Sequence, residues 1–393
     1  VRTAPVAEGT RIELVVDQLV AGGDAICRVE GFPVFVPGLF PGDAATVEVV
    51  EVRKGFARGE VLELRAAGAG RRAAPCRVAA ECGGCDWTEL RLDLQLEAKR
   101  RILEDSLRRT GRLDPAVLPP IRIHASPLNY RLRSRLHRDE QTGELGFYAR
   151  RSHRVVPLPD ECEVVGTRTL SGMEQIREQT RHGDTVDVFE SEDSIVTVER
   201  HEEDDGSERV SVAVGRWRFH LSTSSFFQVN RHLLVRLIEL VRQIGAGAQR
   251  RDLAFDLYGG VGFFALPVSE DFGRVVTVES GPEAAHFARI NLGGRPTVRV
   301  VNRSVEDFLA TVQTAPDLVL VDPPRAGLSP RVRSQLCRIA PKRIAYLSCD
   351  PVTFSRDVAE LVGHGWTLCT LDLVDLFPNT HHVETLASLV IAD

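Results

Sequence analysis

The sequence has no apolar run long enough to span a bilayer, and it does not open on a basic stretch followed by an apolar one. Both absences predict a soluble chain of cytoplasmic localisation with no membrane partner. No internal repeat is visible. The cysteines do not form the regular framework of a small disulfide-stapled secreted domain. An excess of positive charge is missing too: 49 Lys and Arg stand against 55 Asp and Glu, a formal net charge of −6. Taken alone, that balance argues against a nucleic-acid partner.

What is present changes the reading. At 393 residues, 43% of them hydrophobic, the chain exceeds one ordinary core and predicts two or three globular domains. Charge is unevenly placed: residues 66–155 carry 18 Lys and Arg against 11 Asp and Glu, whereas residues 1–65 carry 7 against 10. A basic middle in an acidic chain fits a localised phosphate-contacting surface, and equally a solvated face. Cys76, Cys82 and Cys85 lie close together and Cys162 far downstream, while Cys27, Cys337, Cys349 and Cys369 stand alone. In a cytoplasmic chain this is the pattern of a metal or cluster site plus isolated thiols.

The first segment, about 6–65, alternates β-branched and polar residues between Gly22-Gly23, Pro37-Gly38 and Pro41-Gly42-Asp43, predicting short strands of a small OB-type barrel. Residues 66–74 have linker composition. A helix is expected over Thr88–Arg109, with Leu92, Leu96, Arg100 and Leu103 on one side and Gly111 as its stop. Residues 120–225 mix strand and loop, and the acidic stretch 199–208 reads as a hairpin tip. From Leu253 onward strands and helices alternate, which predicts a parallel sheet covered on both faces.

Chemistry concentrates at the ends of those later strands. Asp256-Leu-Tyr-Gly-Gly-Val-Gly262 places glycines where a ligand can approach backbone, and Glu279 ends the next strand, where a carboxylate can accept from ribose hydroxyls. The loop also satisfies a loose dinucleotide fingerprint, so by itself it leaves NAD and S-adenosylmethionine both open. Asp322-Pro-Pro-Arg325 holds a carboxylate at the ligand edge on a stiff turn. Ser348-Cys349-Asp350-Pro351 puts a thiol at a strand's carboxyl end, whereas Cys337 and Cys369 read as core residues. Glu384, at the mouth of the last strand, suits a general base or a solvated strand end. Neighbouring His381 and His382 read as surface or structural residues rather than metal ligands.

Cys76, Cys82, Cys85 and Cys162 supply four thiolates, suited to zinc or to an iron–sulfur cluster; three ligands together and one remote favour [4Fe–4S]. Tyr130, Arg131 and Arg133 interleave an aromatic with basic residues, as base stacking plus phosphate contact requires, or simply form a basic outer face. Phe226 and Gln228 precede the catalytic segment and offer a ring and an amide.

In this order the motifs resemble the RNA uracil-5-methyltransferase family, in its members with a TRAM domain and an iron–sulfur cluster, across nearly the whole chain. The resemblance implies a multidomain fold: a TRAM (OB-like β-barrel) domain at 1–65, a central α+β iron–sulfur domain at 66–225 whose helix at 88–110 packs on the catalytic domain, and a C-terminal α/β, Rossmann-like, SAM-dependent methyltransferase domain at 226–393. It implies S-adenosylmethionine contacts from Gln228, Tyr258, Gly260, Gly262, Glu279 and Asp322, with Cys349 as nucleophile and Glu384 as base. It assigns Cys76, Cys82, Cys85 and Cys162 to a [4Fe–4S] cluster, and makes Tyr130, Arg131, Arg133, Phe226 and Arg325 candidate RNA contacts. Two departures stand in the glycine loop: Gly259 where members often carry Cys, and Phe263 where Asn or Thr is usual.

The implied activity is methylation of uridine carbon 5 in RNA, 23S ribosomal RNA ahead of transfer RNA, by a monomer. Cys349 adds to carbon 6, carbon 5 takes the methyl group, and Glu384 removes the carbon 5 proton so that the thiolate can leave. The uridine leaves its stack to enter such a site. A reading from another class, an NAD-dependent iron–sulfur oxidoreductase, accounts for the glycines and the cysteine cluster but leaves Cys349 and Asp322-Pro-Pro-Arg325 without a role.

Overall fold

Period-two burial organises the amino-terminal strands. In β5 (Ala44–Val52), Ala45, Val47 and Val49 point inward while their neighbours are partly exposed. With β1 (Arg11–Val15), β2 (Gln18–Leu19), β3 (Ala25–Val29), β4 (Phe32–Val36) and β6 (Ala57–Ala66), it forms one six-stranded sheet in the order β1-β5-β6-β4-β3-β2. The expected linker is pinned at its start. Buried Asp43 accepts from the amides of Phe40 and Gly68, and pairs with Arg71 at 2.7 Å. The computed structural model describes residues 4–180, 183–190, 194–200 and 208–391.

Helix α1 (Leu92–Arg109) starts four residues later than expected, because Arg71 and Arg72 draw residues 88–90 into extended pairing. Its buried face is also displaced from the expected one. Gln95, Lys99, Ile102 and Ser106 point inward, and the lysine is tolerated there because Asp375 pairs with it at 2.6 Å. Leu103 and Leu107 of α1 join the apolar interiors of the first sheet and of one methyltransferase face in a single core. Strand β7 (Ile121–His124) follows.

A second sheet takes the order β10-β9-β8-β11-β12 from β8 (Arg133–Arg138), β9 (Leu145–Tyr148), β10 (Val155–Pro157), β11 (Thr185–Glu190) and β12 (Ile195–Arg200). Short helices α2 (Thr167–Ser171) and α3 (Met173–Gln179) lie between β10 and β11. Strands β13 (Arg209–Val214) and β14 (Trp217–Ser222) pair only with each other among the described residues. Residues 201–207, the bulk of the expected acidic hairpin tip, lie outside the described residues. The strands flanking them, β12 and β13, belong to different sheets.

Helix α4 (Leu234–Ala246) leads into the largest sheet. Its strands are β15 (Leu253–Leu257), β16 (Arg274–Glu279), β17 (Val298–Asn302), β18 (Leu318–Val321), β19 (Arg343–Ser348), β20 (Trp366–Val374) and β21 (Thr385–Ile391), with β7 added at one edge. Their order is β17-β16-β15-β18-β19-β21-β20-β7, with β21 antiparallel to both neighbours and the remaining pairings parallel. Helices α4, α5 (Ala265–Val268) and α6 (Pro282–Asn291) bury Leu237, Leu266 and Ala288 on one face; α7 (Val305–Ala310), α8 (Pro330–Ile339) and α9 (Pro351–Gly363) bury Leu309, Leu336 and Val358 on the other. Alternate strand residues serve each face: Phe255 and Leu257 one, Ala254 the other. Chain order reverses between β15 and β18, the crevice where open α/β sheets bind ligands. Strand β7, from the segment expected in the central domain, is thus an edge strand of this sheet.

Candidate active site and cysteine pocket

The crevice is lined by the residues at the carboxyl ends of β15, β16, β18 and β19. Gly260 adopts φ +53°, which a glycine enters without strain, and its amide donates to Glu279 Oε2 at 3.0 Å. The other carboxylate oxygen of Glu279 accepts from the Gly281 amide at 2.6 Å. Glycine loop and acidic strand end are therefore one hydrogen-bonded unit. Tyr258 and Gly262 share positive φ, +63° and +86°, so the loop turns sharply on both sides of Gly260. Beneath it lies Asp256, 1% exposed, which accepts from the Ala265 amide and the Thr277 hydroxyl. Burial pushes its carboxyl up to about 7.

Both departures in this loop have a structural reason. A β-carbon on Gly259 would stand 2.0 Å from Thr277 Oγ1, so the space of a side chain there is taken by the threonine. Phe263 is 6% exposed and packs against Phe219, Phe227 and Phe264, with ring centroids 4.8–5.5 Å apart. It belongs to the core that seats the β13–β14 hairpin.

On the other side of the crevice, half-buried Asp322 accepts from Gln228 Nε2 at 3.2 Å, and burial pushes its carboxyl up to about 7. Arg325 is exposed, with its carbonyl fixed by the Thr353 hydroxyl at 3.0 Å. Antiparallel register sets the next pair. Ser348 of β19 faces Thr385 of β21, so Cys349 and Glu384 lie opposite one another one step beyond the ladder. Glu384 is 4% exposed; burial first, then Asp322, pushes its carboxyl well above the usual range, while Arg325 opposes. Cys349 is half-buried. Burial, then Glu384 and Asp322, pushes its thiol up to about 11, again against Arg325. The arrangement brings a thiol, a carboxyl group and a guanidinium to one edge.

The four cysteines converge elsewhere. Cys76, Cys82, Cys85 and Cys162 line one cavity with Phe147, Val156, Leu158 and Val164. Burial raises all four thiols, Cys85 up to about 12, and each is also raised by another of the set. Thiolates there would find donors: the Gly84 amide lies 3.4 Å from Cys82 Sγ, and the Arg131 guanidinium favours the charged forms of Cys82, Cys85 and Cys162. Among the described residues, no three His, Cys, Asp or Glu side chains converge closely enough to hold a single metal ion.

Among the candidate RNA contacts, Phe226 is 69% exposed beside Gln228. Tyr130 requires a correction: it is fully buried, its hydroxyl donates to the Pro378 carbonyl at 3.4 Å, and its ring offers no face to a base. Arg131 lies over the Phe147 ring at 5.2 Å, toward the thiols. Arg133 pairs with Asp187 and donates to the Ser225 carbonyl. Within the alternating basic run, Arg133 and Arg135 both pair with buried Asp187, and Arg131 lies toward the thiol cavity. His381 Nδ1 lies 2.6 Å from Asp86 Oδ2, a structural contact. Sequence reasoning missed Asp256, legible as an acid inside the first strand, and buried Asn379, which only tertiary contacts identify.

A model of the family described as tRNA (Uracil-5-)-methyltransferase matches residues 196–390, and one of the TRAM domain matches residues 5–62. An RNA methyltransferase of Corynebacterium glutamicum is 31% identical to this chain, covering 99% of it and 98% of the relative. One of Gloeobacter violaceus is 30% identical, covering 97% of both. In fold the chain is similar to the tRNA (uracil-54, C5)-methyltransferase of Pyrococcus abyssi, solved in complex with S-adenosyl-L-homocysteine. The TM-score is 0.74 at 24% identity, over 96% of this chain and all of that one. No helix among the described residues is long and apolar enough to cross a membrane. With relatives of 30% identity or more matching along nearly their whole length, this chain belongs to the tRNA (uracil-5-)-methyltransferase family of RNA-modifying enzymes and carries a TRAM domain ahead of its methyltransferase fold.

Proposed function

We propose that the enzyme methylates carbon 5 of a uridine in 23S ribosomal RNA, with Cys349 as nucleophile and Glu384 as base. The observation that carries this reading is the register of β19 and β21, which sets thiol and carboxyl opposite one another beside Asp322 and Arg325. An amino-group methyltransferase or a hydride-transfer enzyme has no use for that pair. S-adenosylmethionine supplies an electrophilic methyl group when bound. Gln228, Tyr258, Gly260, Gly262, Glu279 and Asp322 would hold it along the crevice.

Cys349, once deprotonated, adds to uracil carbon 6 and moves electron density to carbon 5, which then accepts the methyl group. Arg325 faces both acidic groups and favours their charged forms. Glu384 removes the carbon 5 proton; burial raises its proton affinity, which suits a base acting on carbon. The carbon–sulfur bond then breaks and the thiolate leaves. Phe226, exposed two residues before Gln228, would stack on a base, a contact that offsets part of the cost of flipping the uridine, on the order of a few kcal/mol.

The four-cysteine cavity is read as the seat of a [4Fe–4S] cluster with a structural role. Its support is the shared apolar cavity, amide and guanidinium groups aimed at sulfur, and a reaction that needs no electron. The TRAM domain and this cavity together favour ribosomal over transfer RNA through the family resemblance. Residues 1–65, 66–225 and 226–393 are read as TRAM, central and methyltransferase domains, with α1 and β7 of the central segment lent to the last.

The test is anaerobic protein with labelled S-adenosylmethionine and, separately, ribosomal and transfer RNA, scored for 5-methyluridine. Product on ribosomal RNA, absent in Cys349→Ala, supports the reading. Product on transfer RNA alone overturns the choice of RNA, and none on either overturns the activity.

A further inference from the structure

Asn379 bonds to residues beside the cysteine cavity and stands in the chain segment that leads to the candidate base, and nothing in the methyl-transfer chemistry uses it. It is fully buried with φ +65°, a conformation asparagine adopts more readily than most residues. Its carbonyl accepts from the amides of Asp86 and Trp87, both at 3.0 Å, the residues that follow Cys85. Its Nδ2 donates to Glu163 Oε2 at 2.9 Å, on the residue that follows Cys162. Its Oδ1 accepts from Gln95 Nε2 at 3.0 Å and from Arg72 at 3.2 Å, and its amide donates to Gln95 Oε1 at 2.8 Å. One residue thus grips the backbone or side chains next to two of the four cysteines, and the side chain of Gln95 on α1.

The same residue sits in the short segment that presents Glu384. That segment begins at Asp375, paired with buried Lys99, and ends where the Val374 amide donates to the Glu384 carbonyl at 2.9 Å. Within it, Pro378 accepts from Tyr130 and His381 meets Asp86. Cys349, by contrast, is carried by β19 and the start of α9, whose hydrogen bonds do not involve Asn379.

We propose that Asn379 is a positioning residue that couples order in the four-cysteine cavity to the placement of Glu384, and so to proton removal from carbon 5. The inference rests on reading Glu384 as the base and the cavity as a cluster site. Loss of the clamp displaces the base while leaving the nucleophile in place. Addition and methyl transfer then proceed, and release of the methylated RNA slows.

The first experiment compares iron-loaded wild type with Asn379→Ala and Asn379→Gly, the latter keeping the positive φ and the backbone bonds. Each is mixed with ordinary uridine RNA and labelled S-adenosylmethionine and analysed on denaturing gels. The expected result is a label-bearing protein–RNA adduct in both variants, formed at the wild-type rate and released about tenfold more slowly or worse. Equal loss of adduct formation and release, or no change in either, overturns the proposal. The second is hydrogen exchange on wild type before and after iron is removed with a chelator. The amides of Asp86, Trp87 and Asn379 should lose protection while those of β21 keep theirs. Retained protection at the three amides, or a protein that takes up no iron, overturns it. A wild type that forms neither adduct nor 5-methyluridine counts against the proposed function, while the exchange arm still decides whether the clamp depends on the cavity.

Discussion

Cys349 should be a poor nucleophile in the free protein, and the size of the effect can be worked out. Burial, with Glu384 and Asp322 behind it, pushes its thiol from an ordinary 9.0 up to about 11. At about pH 7.5 that leaves roughly 3 thiolates in 10,000, against roughly 3 in 100 for the unperturbed thiol. The rarer thiolate is intrinsically more reactive, which at a Brønsted slope of about 0.4–0.5 restores roughly six- to tenfold. Alkylation by iodoacetamide near neutral pH should therefore run roughly ten- to fifteenfold slower than for an ordinary thiol. The assay is a pH series read by mass spectrometry of the Cys349 peptide, whose alkylation should reach half-maximum near about 11. Glu384→Gln and Asp322→Asn remove negative neighbours and should lower that midpoint; Arg325→Ala should raise it. A wild-type midpoint at or below 9.0, or charge variants that move it the other way, would refute the reasoning.

Four further outcomes follow from contacts described above. Gly259→Ala should cost about 1–3 kcal/mol in urea unfolding through its clash with Thr277, and Thr277→Ala in the same chain should recover most of that loss; strict additivity would contradict the clash. Phe226→Ala should weaken RNA binding by about 1–3 kcal/mol in filter binding without shifting the melting temperature, since the ring is exposed. Lys99→Met should destabilise by about 3–5 kcal/mol by leaving Asp375 buried without its cation, and adding Asp375→Leu should return part of it. Asp256 holds its proton more tightly folded than unfolded, so its contribution to stability is present at low pH and lost as pH rises through about 7; Asp256→Asn should flatten that part of the pH–stability profile.

Much of the catalytic half was readable because its signals are local. The strands Leu253–Leu257, Arg274–Glu279 and Trp366–Val374 all fall in the segment from Leu253 onward where strands were expected to alternate with helices. In each case an apolar run ends at a glycine, an acid or a polar turn, and period and punctuation are properties of neighbouring residues. Since ligands gather at the carboxyl ends of parallel strands, the placement of Gly260, Glu279, Asp322 and Cys349 followed from strand order along the chain. The inward face of helix α1 was misread for the opposite reason, although the helix itself and its end at Arg109 were as expected. Its inward face includes Lys99 and Gln95, whose partners Asp375 and Asn379 are far away in sequence. Tyr130 failed in the same way: alternation identified an extended basic segment, but not that this ring is buried beside the thiol cavity toward which Arg131 lies.

The sequence by itself determined the strand–loop–helix order, the residue types at each strand end, and the grouping of four cysteines apart from four solitary ones. Tertiary structure alone decided that Cys349 meets Glu384, through the register of two antiparallel strands separated by α9 and β20. It alone placed β7 on the large sheet, filled the space beside Gly259 with Thr277, and brought Asn379 against Asp86, Trp87 and Glu163, next to two of the four clustered cysteines. Propensity and period act over a few residues, whereas burial, ion pairing and carboxyl acidity depend on which distant groups share the same low-dielectric space.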